Sequence, residues 1–143
     1  MDAFVEALEK LAAGLEAHSE EFTQLDSEAG DGDLGLTAGK IAGGIRLAIA
    51  EPGDSVKQLV LNLGKEISKA APSTFGTLYA SGFLAAGLAV SDDDEPLAQL
   101  QAGLNSALEK IAQRWQVLTK LRPSSSPRSR KIWISPRATR WRS

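Results

Sequence analysis

The 143-residue chain has no cysteine, one histidine and one methionine. Without cysteine there is no disulfide scaffold and no thiolate site for zinc or an iron–sulfur cluster. A single imidazole, His18, excludes a histidine-rich metal centre. No apolar run approaches the roughly 18 residues of a membrane span, which excludes a transmembrane helix. The amino terminus carries Asp2 and Glu6 and lacks a basic segment followed by an apolar core, so it does not read as a signal peptide. Carboxylates are missing from one end: none follows Glu109.

That last absence divides the chain. Residues 1–112 hold all 18 acidic residues and seven of the 16 basic ones, a formal charge of −11. Residues 113–143 hold the other nine basic residues, +9. The net −2 is the difference between two segments of unlike character. Overall composition is that of a globular protein, with 43% hydrophobic and 24% charged residues.

Apolar spacing in the acidic segment is helical. Phe4, Leu8, Leu11 and Leu15 form one face of a first helix, with Asp2 as its expected N-cap. Ser19 is expected to cap a short second helix, and a loop follows from about Asp26 to Asp33. The spacing predicts a third helix from Leu34 to about Ala50, whose Gly39, Gly43 and Gly44 read as close-packing positions. Ser55 is expected to cap a fourth, with Val56, Leu59, Val60, Leu63 and Ile67 on one face. Ala71-Pro72-Ser73 breaks it. Thr74 to Val90 is apolar on all sides and reads as a central helix. After the acidic turn Ser91–Pro96, a final amphipathic helix carries Leu97, Leu100, Leu104, Leu108 and Ile111, ending near Arg114. Strand patterns are absent apart from the short run Lys131–Ile134, so the fold class is all-α.

The most informative stretch is Leu25-Asp26-Ser27-Glu28-Ala29-Gly30-Asp31-Gly32-Asp33-Leu34-Gly35. Aspartates this close repel one another unless a cation lies among them, and hard divalent cations take oxygen ligands. The loop also opens a helix, whose free N–H groups near Leu34–Thr37 suit a phosphate. It has neither the regular start nor the bidentate glutamate of a calcium-binding EF-hand, and Gly35–Ile41 has the wrong spacing for a P-loop. A water-exposed Asp/Gly turn is the plain alternative.

Leu25-Asp26-x4-Asp31-Gly32-Asp33-x-Gly35-x-Thr37 resembles the signature of the L subunit, the nucleotide-binding part, of the dihydroxyacetone kinase family. Pro72-Ser73-Thr74-Phe75-Gly76-Thr77-Leu78-Tyr79 resembles that family's phosphate-binding turn before a central helix. The resemblance covers about residues 1–112 and implies an antiparallel helical bundle or barrel, incomplete at its C-terminus. It implies Asp26, Asp31 and Asp33 as ligands of two Mg2+ ions that hold the phosphates of ADP or ATP. Leu34, Gly35, Leu36 and Thr37 would lie along the nucleotide, with Thr74, Phe75 and Gly76 at the phosphate turn. The family carries His where Leu34 stands and Ser where Phe75 stands, so contact at these two would run through the backbone.

The implied role is a cytoplasmic phosphotransferase subunit of glycerol metabolism. It would donate phosphate to a small ketose or polyol held by a dihydroxyacetone-binding partner subunit, with no catalytic side-chain nucleophile of its own. The phosphoryl source would be ATP, or a phosphocarrier protein that recharges bound ADP. A barrel without its closing helices would expose apolar surface, so homo-oligomerisation is expected.

In that family a Gly-Asp-Lys-Thr segment and further helices follow the sixth helix, and here they are missing. The codons for Val117–Leu121, read in a shifted frame, allow Ala-Asp-Lys-Thr. Residues 113–143 therefore read as a basic Ser/Pro/Arg-rich tail, disordered or out of frame from about Trp115. The competing functional reading is a small helical binding module whose basic tail, with Trp115, Trp133 and Trp141, contacts nucleic acid. Membrane contact is not expected, and nucleic acid is the less favoured partner.

Overall fold

The computed structural model describes residues 1–28 and 30–121, with side chains through Leu118. Six α-helices make up this part and no strand occurs among the described residues: α1 (Asp2–Ala17), α2 (Ser19–Ser27), α3 (Leu34–Ala50), α4 (Val56–Ala70), α5 (Thr74–Ala89) and α6 (Pro96–Leu121). The all-α reading holds. The Lys131–Ile134 run and most of the basic tail lie outside the described residues. None of the described helices is long and apolar enough to cross a membrane.

Local chemistry sets the helix boundaries. Ser55 caps α4 by accepting a hydrogen bond from the Gln58 N–H, as the sequence suggested. Ser73 caps α5 in the same way through Gly76 N–H, 3.0 Å away. Two expected caps are displaced by one residue. Met1, not Asp2, precedes α1, and His18, not Ser19, precedes α2. Asp2 and Ser19 are thereby first-turn residues, and neither helix has a side-chain capping bond.

The helices pack in chain order. α1 and α2 lie on α3, α3 on α4, α4 on α5 and α5 on α6. Gly44 of α3 abuts the backbone of Ile67 in α4, and Gly87 of α5 abuts Leu61. Gly64 also meets Leu84, Gly82 meets Ile111 and Ser106 bonds Ala85, so α4 runs antiparallel to α5 and α5 to α6; the short 51–55 link turns α3 back into α4, and α3 and α5 run parallel and begin at the same end. Gly39 and Gly43, by contrast, face open space, so of the three glycines read as close-packing positions only Gly44 is one.

The core centres on α3. Ile41, Ile45, Leu63 and Ile67 are fully buried with Ala12, Ala42, Ala48, Ala71 and Ala80, and Phe75, Tyr79 and Phe83 close its side. α5 lies between α4 and α6, as an all-round apolar helix should, but the core sits two helices earlier than that pattern suggested. Arg46 ties α3 to α1: its Nε donates to Glu9 at 3.0 Å and its Nη1 to Glu16.

The last helix departs most from expectation. It continues past residue 112 to Leu121, because nothing between Ile111 and Leu121 breaks it and the next proline is Pro123. Its buried positions are Gln99 and Gly103, with Ser106 donating to the Ala85 carbonyl of α5. Leu97, Leu100, Leu104 and Leu108, read as its core-facing stripe, are exposed instead. Only Ile111 of that series is half-buried, against Gly82. The described residues place no further element over this face.

Candidate metal and phosphate site

α2 ends on Ser27 and α3 begins on Leu34, so the aspartate motif straddles a turn instead of lying wholly in a loop. Asp26 sits in the last turn of α2, Asp31 in the turn, and Asp33 at the N-cap of α3. The turn is closed by Gly30 N–H, which donates to the Asp26 carbonyl at 2.6 Å. Gly32 has φ +76°, a conformation side chains disfavour, and a Cβ there would meet Ser27 Oγ at 2.5 Å. Ser27 Oγ is itself held by the Thr23 carbonyl. These constraints fold the turn back on α2 and bring the carboxylates together.

One oxygen from each of Asp26, Asp31 and Asp33 lies within 4.8 Å of the others. Asp26 is half-buried and the other two are exposed. An N-cap aspartate ordinarily accepts a bond from the first turn, but the Asp33 side chain makes none. Like charges at this separation repel by on the order of 1 kcal/mol per pair or more. Three convergent hard oxygen donors are the set that a divalent cation such as Mg2+ takes, and the residues fit that group.

The remaining motif residues divide by orientation. Gly35 is buried where α3 crosses α2: a Cβ there would lie 2.0 Å from the Ser19 carbonyl oxygen and 2.1 Å from Thr23 Oγ1. Thr37 is buried too, Leu34 half-buried and Leu36 exposed. The first three amides of α3, at Leu34, Gly35 and Leu36, have no intrahelical partner, while Thr37 N–H donates to the Asp33 carbonyl. At the second motif Thr74 is exposed, and Phe75 packs against Tyr79, the ring centroids 4.8 Å apart and the planes tilted by 45°. Gly76 N–H is taken by Ser73 Oγ, which leaves Thr74 and Phe75 as the open amides of α5.

Because α3 and α5 run parallel, both sets of open amides and the aspartate turn lie at one end of the helix row. The antiparallel α6 brings its C-terminal half to the same end. There Thr74, Thr77, Leu78, Arg114 and Leu118 line a cleft of about 250 Å3. Sequence reasoning missed Arg114, the first basic residue of the presumed tail. No spacing rule links it to Thr74, 40 positions earlier, and only the α5–α6 packing does. A second cleft, of about 470 Å3, lies between α3 and the junction of α1 and α2, with Glu16 and Glu20 on one side and Leu36 and Lys40 on the other.

Charge is perturbed elsewhere. The Arg46 hydrogen bond holds the Glu16 carboxyl below its ordinary range, and Glu16 and Glu9 in turn raise the Arg46 guanidinium. This triad joins α1 to α3.

Comparison with known protein families matches residues 28–123 to the DAK2 domain. The match covers two thirds of the chain, which belongs to the DAK2 domain family. It includes Asp31, Asp33 and both helix starts, begins two residues after Asp26, and extends beyond residue 112 through the whole described α6. Neither the curated proteins nor the solved structures provide a match.

Proposed function

We propose that this DAK2-family chain binds a magnesium–nucleotide complex at the end of the row where α3 and α5 begin, and serves as the phosphoryl-donor half of a kinase. The observation that carries this reading is the convergence of the Asp26, Asp31 and Asp33 carboxylates within 4.8 Å, beside the open amides of α3. These three residues would hold two Mg2+ ions. When bound, the cations supply neutralisation of the phosphate charge.

The chain's own groups account for the rest. The N–H groups of Leu34, Gly35 and Leu36 are oriented by the α3 axis toward an anion, and the helix dipole favours one there. The Thr74 and Phe75 amides do the same at α5, with the Thr74 hydroxyl and the Arg114 guanidinium on the same cleft. Thr37 and Gly76 position these turns from inside, Gly76 by allowing approach to the Ala71 carbonyl. No side chain is needed as a nucleophile, since phosphoryl transfer rests on positioning and electrostatics. The acceptor, a small ketose or polyol, would be held by a partner subunit.

Isothermal titration of Mg–ADP into the chain tests this. Wild type should bind, chelation of Mg2+ should abolish binding, and Asp31→Asn should weaken it by at least about tenfold. Wild-type chain that shows no Mg-dependent nucleotide binding refutes the reading.

A further inference from the structure

The end of the helix row that holds the aspartate turn is also where the chain leaves α6. Leu118 lines the cleft with Thr74 and Thr77 at the start of α5, so the last turn of α6 emerges at the end where Asp26, Asp31 and Asp33 converge. Beyond it, residues 122–143 carry seven basic residues and no carboxylate. Four of the seven fall within the first ten positions: Arg122, Arg128, Arg130 and Lys131.

Charge and reach both direct this segment to the turn. Glu6, Glu9, Glu16, Glu21 and Glu66 each sit beside a basic side chain of the helices. Asp26, Asp31 and Asp33 pair with no cation among the described residues, although their oxygens converge within 4.8 Å. Their repulsion is relieved by any cation that enters, a guanidinium or ammonium as well as a metal. Packed helix axes lie 8–10 Å apart, and α5, on which α6 packs, also touches α3, so the start of α3 is about 20 Å from the end of α6. An extended chain covers about 3.3 Å per residue, so Arg128, Arg130 and Lys131, seven to ten residues past Leu121, span that distance. The acidic run Asp92-Asp93-Asp94-Glu95 fails the same measure. It precedes α6, whose 26 residues are about 39 Å long, and so lies beyond the span of these ten positions.

We propose that residues 122–131 fold back on the aspartate turn of the same chain and act as an internal cation that Mg2+ must displace. The contact stands on charge and reach, and only its competition with Mg2+ rests on the function proposed above.

Carbodiimide cross-linking of the full chain at low salt, with peptide mapping of the monomeric product, tests the contact. Lys131 is the one amine in the segment. It should form an amide with Asp26, Asp31 or Asp33, and the cross-link should fade at about 1 M salt. Calorimetric titration of Mg2+ tests the competition. The full chain carrying Arg122→Gln, Arg128→Gln, Arg130→Gln and Lys131→Gln should bind Mg2+ about tenfold more tightly than wild type at low salt, and the gap should close as salt rises. No Lys131 cross-link to these aspartates, or one formed only between chains, overturns the proposal. A Mg2+ affinity that the four substitutions leave unchanged overturns it equally. A Lys131 cross-link in a chain where neither form binds Mg2+ sustains the contact and refutes the metal reading instead.

Discussion

α3 and α6 each carry an apolar series, and put it to opposite ends. α3 has 17 residues, three interior glycines and no strongly one-sided pattern, yet eight of its residues are buried. α6 has 26 residues and a regular leucine series, yet that series faces water. The difference lies in neighbours. α3 is covered by α1 and α2 on one side and α4 on the other, whereas among the described residues α6 packs chiefly on α5. Small residues mark the buried contacts in both: Gly44 against Ile67, and Gly103 beside Val90 and Ala86. Periodicity reports that a helix has an apolar face, and only the surrounding helices determine which face meets the core.

Side-chain truncation puts the largest strain on this contrast. Ile45→Ala, at a fully buried α3 position, should cost about 2–5 kcal/mol in urea unfolding. Leu104→Ala in dilute solution should change stability by no more than about 0.5 kcal/mol. Equal losses at the two sites would erase the distinction.

A second comparison sharpens the role of α3 as a crossing point. Gly35→Ala forces a Cβ into the Ser19 carbonyl and should cost about 1–3 kcal/mol by pushing α2 away. Because α2 carries Asp26, the same variant should loosen Mg2+ binding. Gly39→Ala, which meets nothing within 4 Å, should instead gain up to about 1 kcal/mol through helix propensity. Thermal melts of both variants, with and without Mg2+, separate these outcomes.

The smallest effect concerns the α1–α3 contact. Glu16 is held below its ordinary pKa of 4.5 by Arg46 in the folded chain, so its contribution is complete above that value. It is lost as pH falls through the lowered folded value. The groups are exposed, so the effect is small and weakens with salt. Arg46→Met should flatten the urea midpoint between about pH 3 and pH 5 relative to wild type. An unchanged slope would detach the triad from stability.

Much of this was legible in residues. The third helix has the bounds its spacing predicted, Ser55 caps α4, and the Pro72–Ser73 break separates α4 from α5. Such features are local: capping serines, prolines and apolar periods act within a few residues. The three aspartates were also legible as a group, since eight residues span them. Their approach within 4.8 Å was not, because it depends on the Gly32 turn folding against Ser27. Arg114 was hidden for the same reason on a larger scale.

By itself, the sequence determined an all-helical chain, the helix order, the acidic and basic division, and an aspartate turn suited to a divalent cation. Tertiary structure decided the rest: the parallel course of α3 and α5 that gathers their open amides at one end, the cleft shared by Thr74 and Arg114, and the outward turn of the α6 leucines. Helix formation and capping are settled by neighbours in the chain. Burial, convergence of charge and exposure of an apolar face depend on which distant helices cover which surface, and no local pattern encodes that.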